Sequence, residues 1–102
     1  MDDVRVFKVL ADTTRWRILD YLEDPVQVCD RHDEGICSCD IEMTLGLAQG
    51  TVSHHMQQLV DAGLVRAERR GRYVYYELDR SRFQELGARL GALAGGDRAS
   101  GT

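Results

Sequence analysis

Apolar residues recur at helical spacing in several stretches of the chain, most clearly over residues 49–62. The apolar positions of that stretch, at i, i+4, i+7 and i+8, are Val52, Met56, Leu59 and Val60. The opposite face carries neutral hydrogen-bonding groups, whereas an ordinary solvated helix mixes in Glu and Lys. Such groups suit base edges and phosphates. The positions that we expect to contact DNA on this helix are Gln49, Gly50, Thr51, Ser53, His54 and Gln57.

A short helix precedes this stretch, and Gly46 is placed to end it in a left-handed conformation. The resulting order of helix, tight turn and helix is that of a helix-turn-helix, whose second helix enters the major groove of DNA. An amphipathic helix in some other helical domain is the simpler alternative, but the hairpin that follows favours DNA binding.

The remaining periodicity predicts a mostly α fold with a small β-hairpin, in the order α-α-α-α-β-β-α. The predicted helices are 4–10, 14–22, 39–45, 49–62 and 81–94, and the predicted strands are 64–69 and 73–78. Residues 26–36 have no period and predict a long loop. We expect Trp16 to face inward with the apolar residues of the second helix, in the core or at an interface rather than as a binding-site aromatic. The sequence therefore predicts a winged helix-turn-helix over residues 1–94 and a flexible tail over 95–102.

The net charge of −4 argues against a nucleic-acid binder, but the charges are unevenly distributed. Residues 24–42 hold six acids and one arginine, and residues 66–82 hold six arginines and three acids. Arg69, Arg70 and Arg72 surround the predicted hairpin tip. A charged tip is often a solvated turn, but beside a DNA-reading helix it favours a wing, in which Arg70 and Arg72 bind phosphates.

An apolar stripe on the last helix has no third layer to cover it in so short a chain. The stripe includes Phe83, Leu86 and Leu90. Val4 and Phe7 of the first helix likewise have no layer to cover them. Homodimerisation is the economical solution, because helix-turn-helix proteins commonly bind two half-sites as two-fold dimers.

A length of 102 residues indicates one domain, and an apolar content of 43% excludes general disorder. No apolar run is long enough to span a bilayer, and the acidic N-terminus is unlike a signal peptide, so we expect a cytoplasmic protein without a membrane partner. Three cysteines, an odd number, argue against a disulfide framework. We find no nucleophile–base pair, paired carboxylates or phosphate-binding loop, which argues against an enzyme and an organic cofactor.

Four motifs occur in the order expected of one family. They are Leu10-Ala11-Asp12-Thr13-Thr14-Arg15-Trp16-Arg17-Ile18-Leu19, Cys37-Ser38-Cys39-Asp40, Thr51-Val52-Ser53-His54-His55-Met56 and Ala62-Gly63-Leu64-Val65. In these motifs, and over residues 4–78, the chain resembles the ArsR/SmtB family of metal-sensing repressors. The resemblance implies a dimeric winged helix that binds operator DNA when empty and releases it when a thiophilic metal binds. It also places Gln49, Ser53 and His54 at DNA and residues 70–72 on the wing.

The chain departs from the family pattern in two places. Ala48 stands where the family usually has a serine before the recognition helix, followed by Gly50 where a small polar residue is common. A missing cap costs about 1 kcal/mol, so the start of this helix is expected to be looser. The last helix holds no histidine, so the zinc site that some members build between their C-terminal helices is absent.

Cys37 and Cys39 match the family's cysteine pair at the first helix of the helix-turn-helix. In a regular helix their side chains would diverge, but around a helix start they can converge, and exposed N–H groups there favour thiolates. Cys29, on the loop, is close enough to supply a third sulfur. Three thiolates suit As(III) or Sb(III), and a soft ligand set leaves Cd, Pb or Zn open, with His32 as a conceivable fourth ligand.

We expect such an ion to distort the first turn of the cysteine-bearing helix, because a regular helix start cannot hold Cys37 and Cys39 on one ion. Two other interpretations stay open. The cysteines can sense oxidants or persulfide by reversibly joining two sulfurs, or they can be small buried apolar residues without a sensing role.

Overall fold

The computed structural model describes residues 3–30 and 34–95, which form five helices and three strands. The helices are α1 (Asp3–Leu10), α2 (Thr13–Glu23), α3 (Ser38–Leu45), α4 (Gln49–Asp61) and α5 (Arg80–Leu93). The strands are β1 (Ile36–Cys37), β2 (Val65–Arg70) and β3 (Tyr73–Leu78). The predicted winged helix-turn-helix is confirmed, with element ends within one or two residues of those expected. His32 and residues 96–102 of the predicted tail lie outside the described residues.

The sheet has three antiparallel strands in the order β1-β3-β2, one strand more than the predicted hairpin. Ile36 pairs with Tyr76 and Cys37 with Tyr75, so β1 lies on the free edge of the hairpin. The prediction that the loop extends through Ile36 is therefore wrong at its end. A two-residue strand shows no period, and both of its residues are buried rather than alternating.

Local signals explain the helix boundaries. Asp12 caps α2, because its carboxylate accepts a hydrogen bond of 2.9 Å from the backbone N–H of Arg15. Gly46 ends α3 with φ 67°, the left-handed conformation that the sequence predicts there. This residue turns the chain into α4 and so sets the geometry of the helix-turn-helix.

The core lies between α1, α2, α3, α4 and the near face of the sheet. Its most deeply buried members include Val6, Ile18, Ile41, Val52, Met56, Leu59 and Leu64. Trp16 does not lie in the core, since 49% of this residue is exposed, which leaves the interface as its expected place. Ile18, Leu19 and Leu22 already fill the inner face of α2, which leaves Trp16 on the side that faces α5. Within the described residues, no helix is both long and apolar enough to cross a membrane.

Candidate nucleic-acid interface and cysteine site

Helix α4 presents the predicted polar face to solvent. Val52, Met56 and Leu59 are buried beneath it. The exposed residues of that face are Gln49, Gly50, Thr51, Ser53, His54 and Gln57. Ala48 is the N-cap and its side chain makes no capping hydrogen bond, as the departure from the family pattern predicts. The amide of Gln57 donates to Asp61 at 2.8 Å, so this side chain is held along the helix.

His55, unlike its neighbour His54, is half-buried and anchors α4 to the N-terminal end of α2. Its Nδ1 lies 3.0 Å from a guanidinium nitrogen of Arg15 and 4.0 Å from a carboxylate oxygen of Asp12. Burial, reinforced by the positive charge of Arg15, lowers the pKa of His55, and the carboxylate of Asp12 only partly opposes this. A neutral imidazole whose Nδ1 accepts from Arg15 fits this geometry.

Arg70, expected at the wing tip with a free guanidinium, instead packs back against the sheet. Its Cζ lies 3.7 Å from the centre of the Tyr75 ring, and Nη2 donates to the carbonyl oxygen of Glu34 at 3.1 Å. Nε lies 3.3 Å from a carboxylate oxygen of Glu68. The physical reason is that the added strand β1 brings Glu34 within reach of Arg70 and so offers its guanidinium partners inside the protein.

Of the other arginines in residues 66–82, Arg80 donates to the carbonyl oxygen of Glu23 at 3.2 Å, and the remaining four divide into two groups. Arg66 pairs with Glu77 at 3.2 Å, and Arg82 pairs with Glu85 at 3.1 Å, so both are partly neutralised. Arg69 and Arg72 are exposed beside the turn between β2 and β3. In this structure these two carry the positive charge of the wing tip.

Two of the three cysteines form a disulfide. Cys29, on the loop after α2, is bonded to Cys39, in the first turn of α3, and their Cα atoms are 6.3 Å apart. The odd cysteine count argues against a disulfide framework, and the structure joins one pair and leaves Cys37 as a free thiol. The number of cysteines does not determine which of them the fold brings together. Met43 lies beside this pair, with its Sδ 3.5 Å from Sγ of Cys29 and 3.8 Å from Sγ of Cys39.

The third cysteine lies elsewhere. Cys37 is the N-cap of α3 and has a free thiol that is only 1% exposed. In the parts of the chain that the structure describes, no three Cys, His, Asp or Glu side chains are grouped so as to hold a metal ion. The structure thus joins Cys29 to Cys39 and does not bring Cys37 to them. It also keeps the first turn of α3 regular, because Cys29 approaches from outside the helix.

Asp40 explains why the loop lies against α3. This carboxylate is fully buried and accepts backbone N–H hydrogen bonds from Val28 at 2.8 Å, Cys29 at 2.9 Å and Cys37 at 2.9 Å. The hydrogen bond that Asp40 accepts from the N–H of Cys37 is one half of a capping box at the start of α3. The field of a helix N-terminus favours an acid at this position, but that alone does not predict these bonds. The spacing Cys37-x-x-Asp40 was a signal for the cap, but nothing local pointed to the loop.

Gly35 closes the contact between this loop and the wing. Its φ of 116° is a conformation that residues with a side chain rarely adopt. A Cβ built there would lie 3.0 Å from both Nη2 of Arg70 and Cδ2 of Tyr75. The loop that carries Cys29 is therefore tied at one end to α3 through Asp40 and at the other end to the wing through Arg70.

An apolar groove of about 450 Å³ runs between α1, α2 and α5. Its lining includes Phe7, Leu10, Trp16, Phe83, Leu86 and Leu90. Helix α5 buries only Leu86 in the single chain, while Leu90 is 52% exposed and Val4 of α1 is 61% exposed. Among the predicted dimerisation residues, Phe7, Phe83 and Leu90 line this groove together with Leu86, which its own chain already covers, and Val4 is exposed on α1.

This arrangement of an exposed polar recognition helix beside a three-stranded wing defines a winged helix-turn-helix DNA-binding protein. The family model described as "Bacterial regulatory protein, arsR family" matches residues 12–67. The chain belongs to the arsR family of bacterial regulatory proteins, and it is a transcriptional repressor rather than an enzyme.

Two relatives and one solved structure illustrate the match. The HTH-type transcriptional regulator YbzH of Bacillus subtilis is 34% identical over 92 residues, covering 84% of this chain and 92% of YbzH. The putative arsenical resistance operon repressor ArsR2 of Halobacterium salinarum is 33% identical, covering 74% of this chain but only 57% of its own length. The homodimeric winged helix-turn-helix domain Mb0332 of Mycobacterium bovis has a TM-score of 0.66 and 29% identity, covering 94% of this chain and 79% of Mb0332.

Proposed function

We propose that this repressor binds operator DNA as a homodimer and releases it when a thiophilic ion links the sulfurs of Cys29 and Cys39. The observation that carries the proposal is the meeting of these two sulfurs beside the helix that supports α4. The relative ArsR2 is named as a putative arsenical resistance operon repressor, which supports arsenite as the inducer of this protein. Antimonite is the next candidate. Cadmium, lead and zinc are the other thiophilic candidates.

The reaction of arsenite with the reduced thiols of Cys29 and Cys39 needs no oxidant. Each thiol attacks the arsenic of arsenous acid, and each displaced hydroxyl leaves as water with the thiol proton. Two As–S bonds form and two As–O bonds break, so the product is a dithiolate arsenic that keeps one hydroxyl. The buried Cys37 is not needed for this product, in contrast to the three-cysteine ion expected from sequence.

The link acts on DNA through the loop and the wing. With Cys29 tied to Cys39, the Glu34 carbonyl holds the guanidinium of Arg70 at 3.1 Å and away from the wing tip. When the pair is open the loop is less constrained, and Arg70 is freed to reach a phosphate, as expected from sequence. This replaces the expected distortion of the first turn of α3 as the source of release.

The energy required is modest. An inducer that changes operator affinity 10- to 100-fold needs a coupling of about 1.4–2.7 kcal/mol. The free energy of making or breaking one phosphate contact in each of the two subunits is of this order at low salt concentration.

Dimerisation is the second part of the proposal. The groove beside α5 is lined by apolar residues that include the half-exposed Leu90, and Val4 on α1 is also exposed. A second copy of the chain fits because two-fold symmetry would place α4 of each subunit at successive major grooves.

The test is operator binding by fluorescence anisotropy under full reduction, with As(III), Sb(III), Cd(II), Pb(II) and Zn(II) titrated in turn. We expect As(III) to weaken binding by the wild type and to leave Cys29→Ser and Cys39→Ser bound. The matched control is Cys37→Ser, which we expect to keep the response. A response lost only in Cys37→Ser would contradict the proposed pair.

A second candidate is a thiol-redox repressor, favoured by the Cys29–Cys39 disulfide itself. Here a peroxide is the oxidant. One cysteine, as its thiolate, attacks an oxygen of the peroxide and becomes a sulfenic acid, while the displaced hydroxide takes up the thiol proton as water. The other thiol then attacks the sulfenic sulfur, and a second water leaves as the disulfide forms. Release by hydrogen peroxide but not by As(III) under reduction would favour this candidate.

A further inference from the structure

Met43 is an apolar side chain that contributes little to the core, since 65% of it is exposed. It follows Cys39 by one helical turn, so the two side chains lie on the same face of α3. Asp40 holds the backbone of Cys29 at 2.9 Å, which brings the loop cysteine to the same place. Three sulfurs from separate positions in the chain therefore meet at one accessible point.

The distances between these sulfurs suit a small, soft ion. An ion with metal–sulfur bonds of about 2.3 Å in a trigonal arrangement holds its sulfurs about 4 Å apart. Met43 Sδ is already 3.5 Å from Cys29 Sγ and 3.8 Å from Cys39 Sγ. When two small-molecule thiols reduce the disulfide and are themselves joined as a disulfide, the two cysteine sulfurs become thiols and can separate by the remaining amount.

We propose that reduced Cys29 and Cys39, together with the thioether of Met43, form a binding site for Cu(I). The two thiols lose their protons, no electron is transferred, and the complex carries one negative charge. Mixed thiolate and thioether donors are a set that soft Cu(I) prefers. Arsenite instead exchanges hydroxyl groups for thiolates and gains nothing from a neutral thioether. The inference shares its dithiol with the proposed function but adds Met43 and a different class of ion.

The experiment measures Cu(I) affinity in fully reduced protein without oxygen, by competition with a chromogenic Cu(I) chelator. We expect Met43→Leu, which keeps the size of the side chain and removes its sulfur, to weaken Cu(I) binding by about tenfold or more. Cys37→Ala is the control, and we expect its Cu(I) affinity to stay within about twofold of wild type. As(III) binding, followed by protection of the thiols from a chromogenic thiol reagent, should be unchanged in Met43→Leu.

Equal Cu(I) affinity in Met43→Leu and wild type would overturn the inference, as would loss of Cu(I) binding in Cys37→Ala. Because Met43 is exposed, Met43→Leu is expected to fold, and its circular dichroism spectrum checks this. Operator binding separates the two proposals. If Cu(I) binding depends on Met43 but neither Cu(I) nor As(III) changes operator affinity, the copper site stands and the proposed inducer function fails.

Discussion

Replacing Asp40 by asparagine tests whether this buried carboxylate holds the cysteine loop in place. The amide is the same size, and its oxygen still accepts the N–H groups of Val28 and Cys29. Its NH2 group, however, faces the N–H of Cys37, where a carboxylate oxygen now accepts at 2.9 Å. One charge-assisted hydrogen bond is worth about 1.5–3 kcal/mol, and an unsatisfied buried donor costs about 1–3 kcal/mol.

We therefore expect Asp40→Asn to lower the free energy of unfolding by about 2–4 kcal/mol, a large part of the 5–15 kcal/mol typical of a domain. The assay is urea unfolding followed by circular dichroism at fixed protein concentration, since dimer stability depends on concentration. Asp20→Asn, which removes an exposed carboxylate from α2, is the control. If the two variants differ by less than about 0.5 kcal/mol, Asp40 is not the anchor described above.

Three further outcomes follow from the wing, the recognition helix and the groove. In the reduced dimer, Arg72→Ala should make the log–log salt slope of operator binding shallower by about 1.8, for two lost phosphate contacts. Arg70→Ala should make this salt slope shallower only while Cys29 and Cys39 are not linked. An equal effect in the linked form would contradict the proposal that the link holds Arg70 away from DNA. The pKa of His55 in the folded protein is lower than its ordinary value of 6.5. As the pH falls from about 7.5 through 6.5, the unfolded chain therefore binds more protons than the folded chain, and the free energy of unfolding decreases. His55→Asn should flatten this loss in urea titrations at several pH values, and an unchanged profile would assign the loss to another group. Leu90→Asp should shift the chain to monomer in sedimentation at tens of micromolar, and a persistent dimer would place the interface elsewhere.

The elements were predictable where the information is local. The stripe from Val52 to Leu59 and the glycine after α3 fix the helix-turn-helix, because periodicity and a left-handed cap act over a few residues. Alternation likewise predicted β2 and β3. The polar face of α4 followed from the same pattern, since residues that are not on the buried stripe point to solvent.

The contacts that organise the cysteine site were not predictable in this way. The bonds of Asp40 to Val28 and Cys29 span 12 and 11 residues, and the bond from Arg70 to Glu34 spans 36. Each depends on where a loop without periodicity settles, which is a property of the packed molecule. The sequence therefore grouped Cys37 with Cys39, whereas in the structure Cys39 is bonded to Cys29 and Cys37 is buried.

The most direct test of the account compares one protein in three states of the Cys29–Cys39 pair: reduced, loaded with As(III), and oxidised to the disulfide. Operator affinity of each is measured by fluorescence anisotropy at the same salt concentration, with Cys29→Ser, Cys39→Ser protein as the reference that cannot be linked. We predict that the reduced form binds as tightly as the reference and that both linked forms bind about tenfold or more weakly. Three states that bind within about twofold of one another would contradict the claim that this pair controls the repressor.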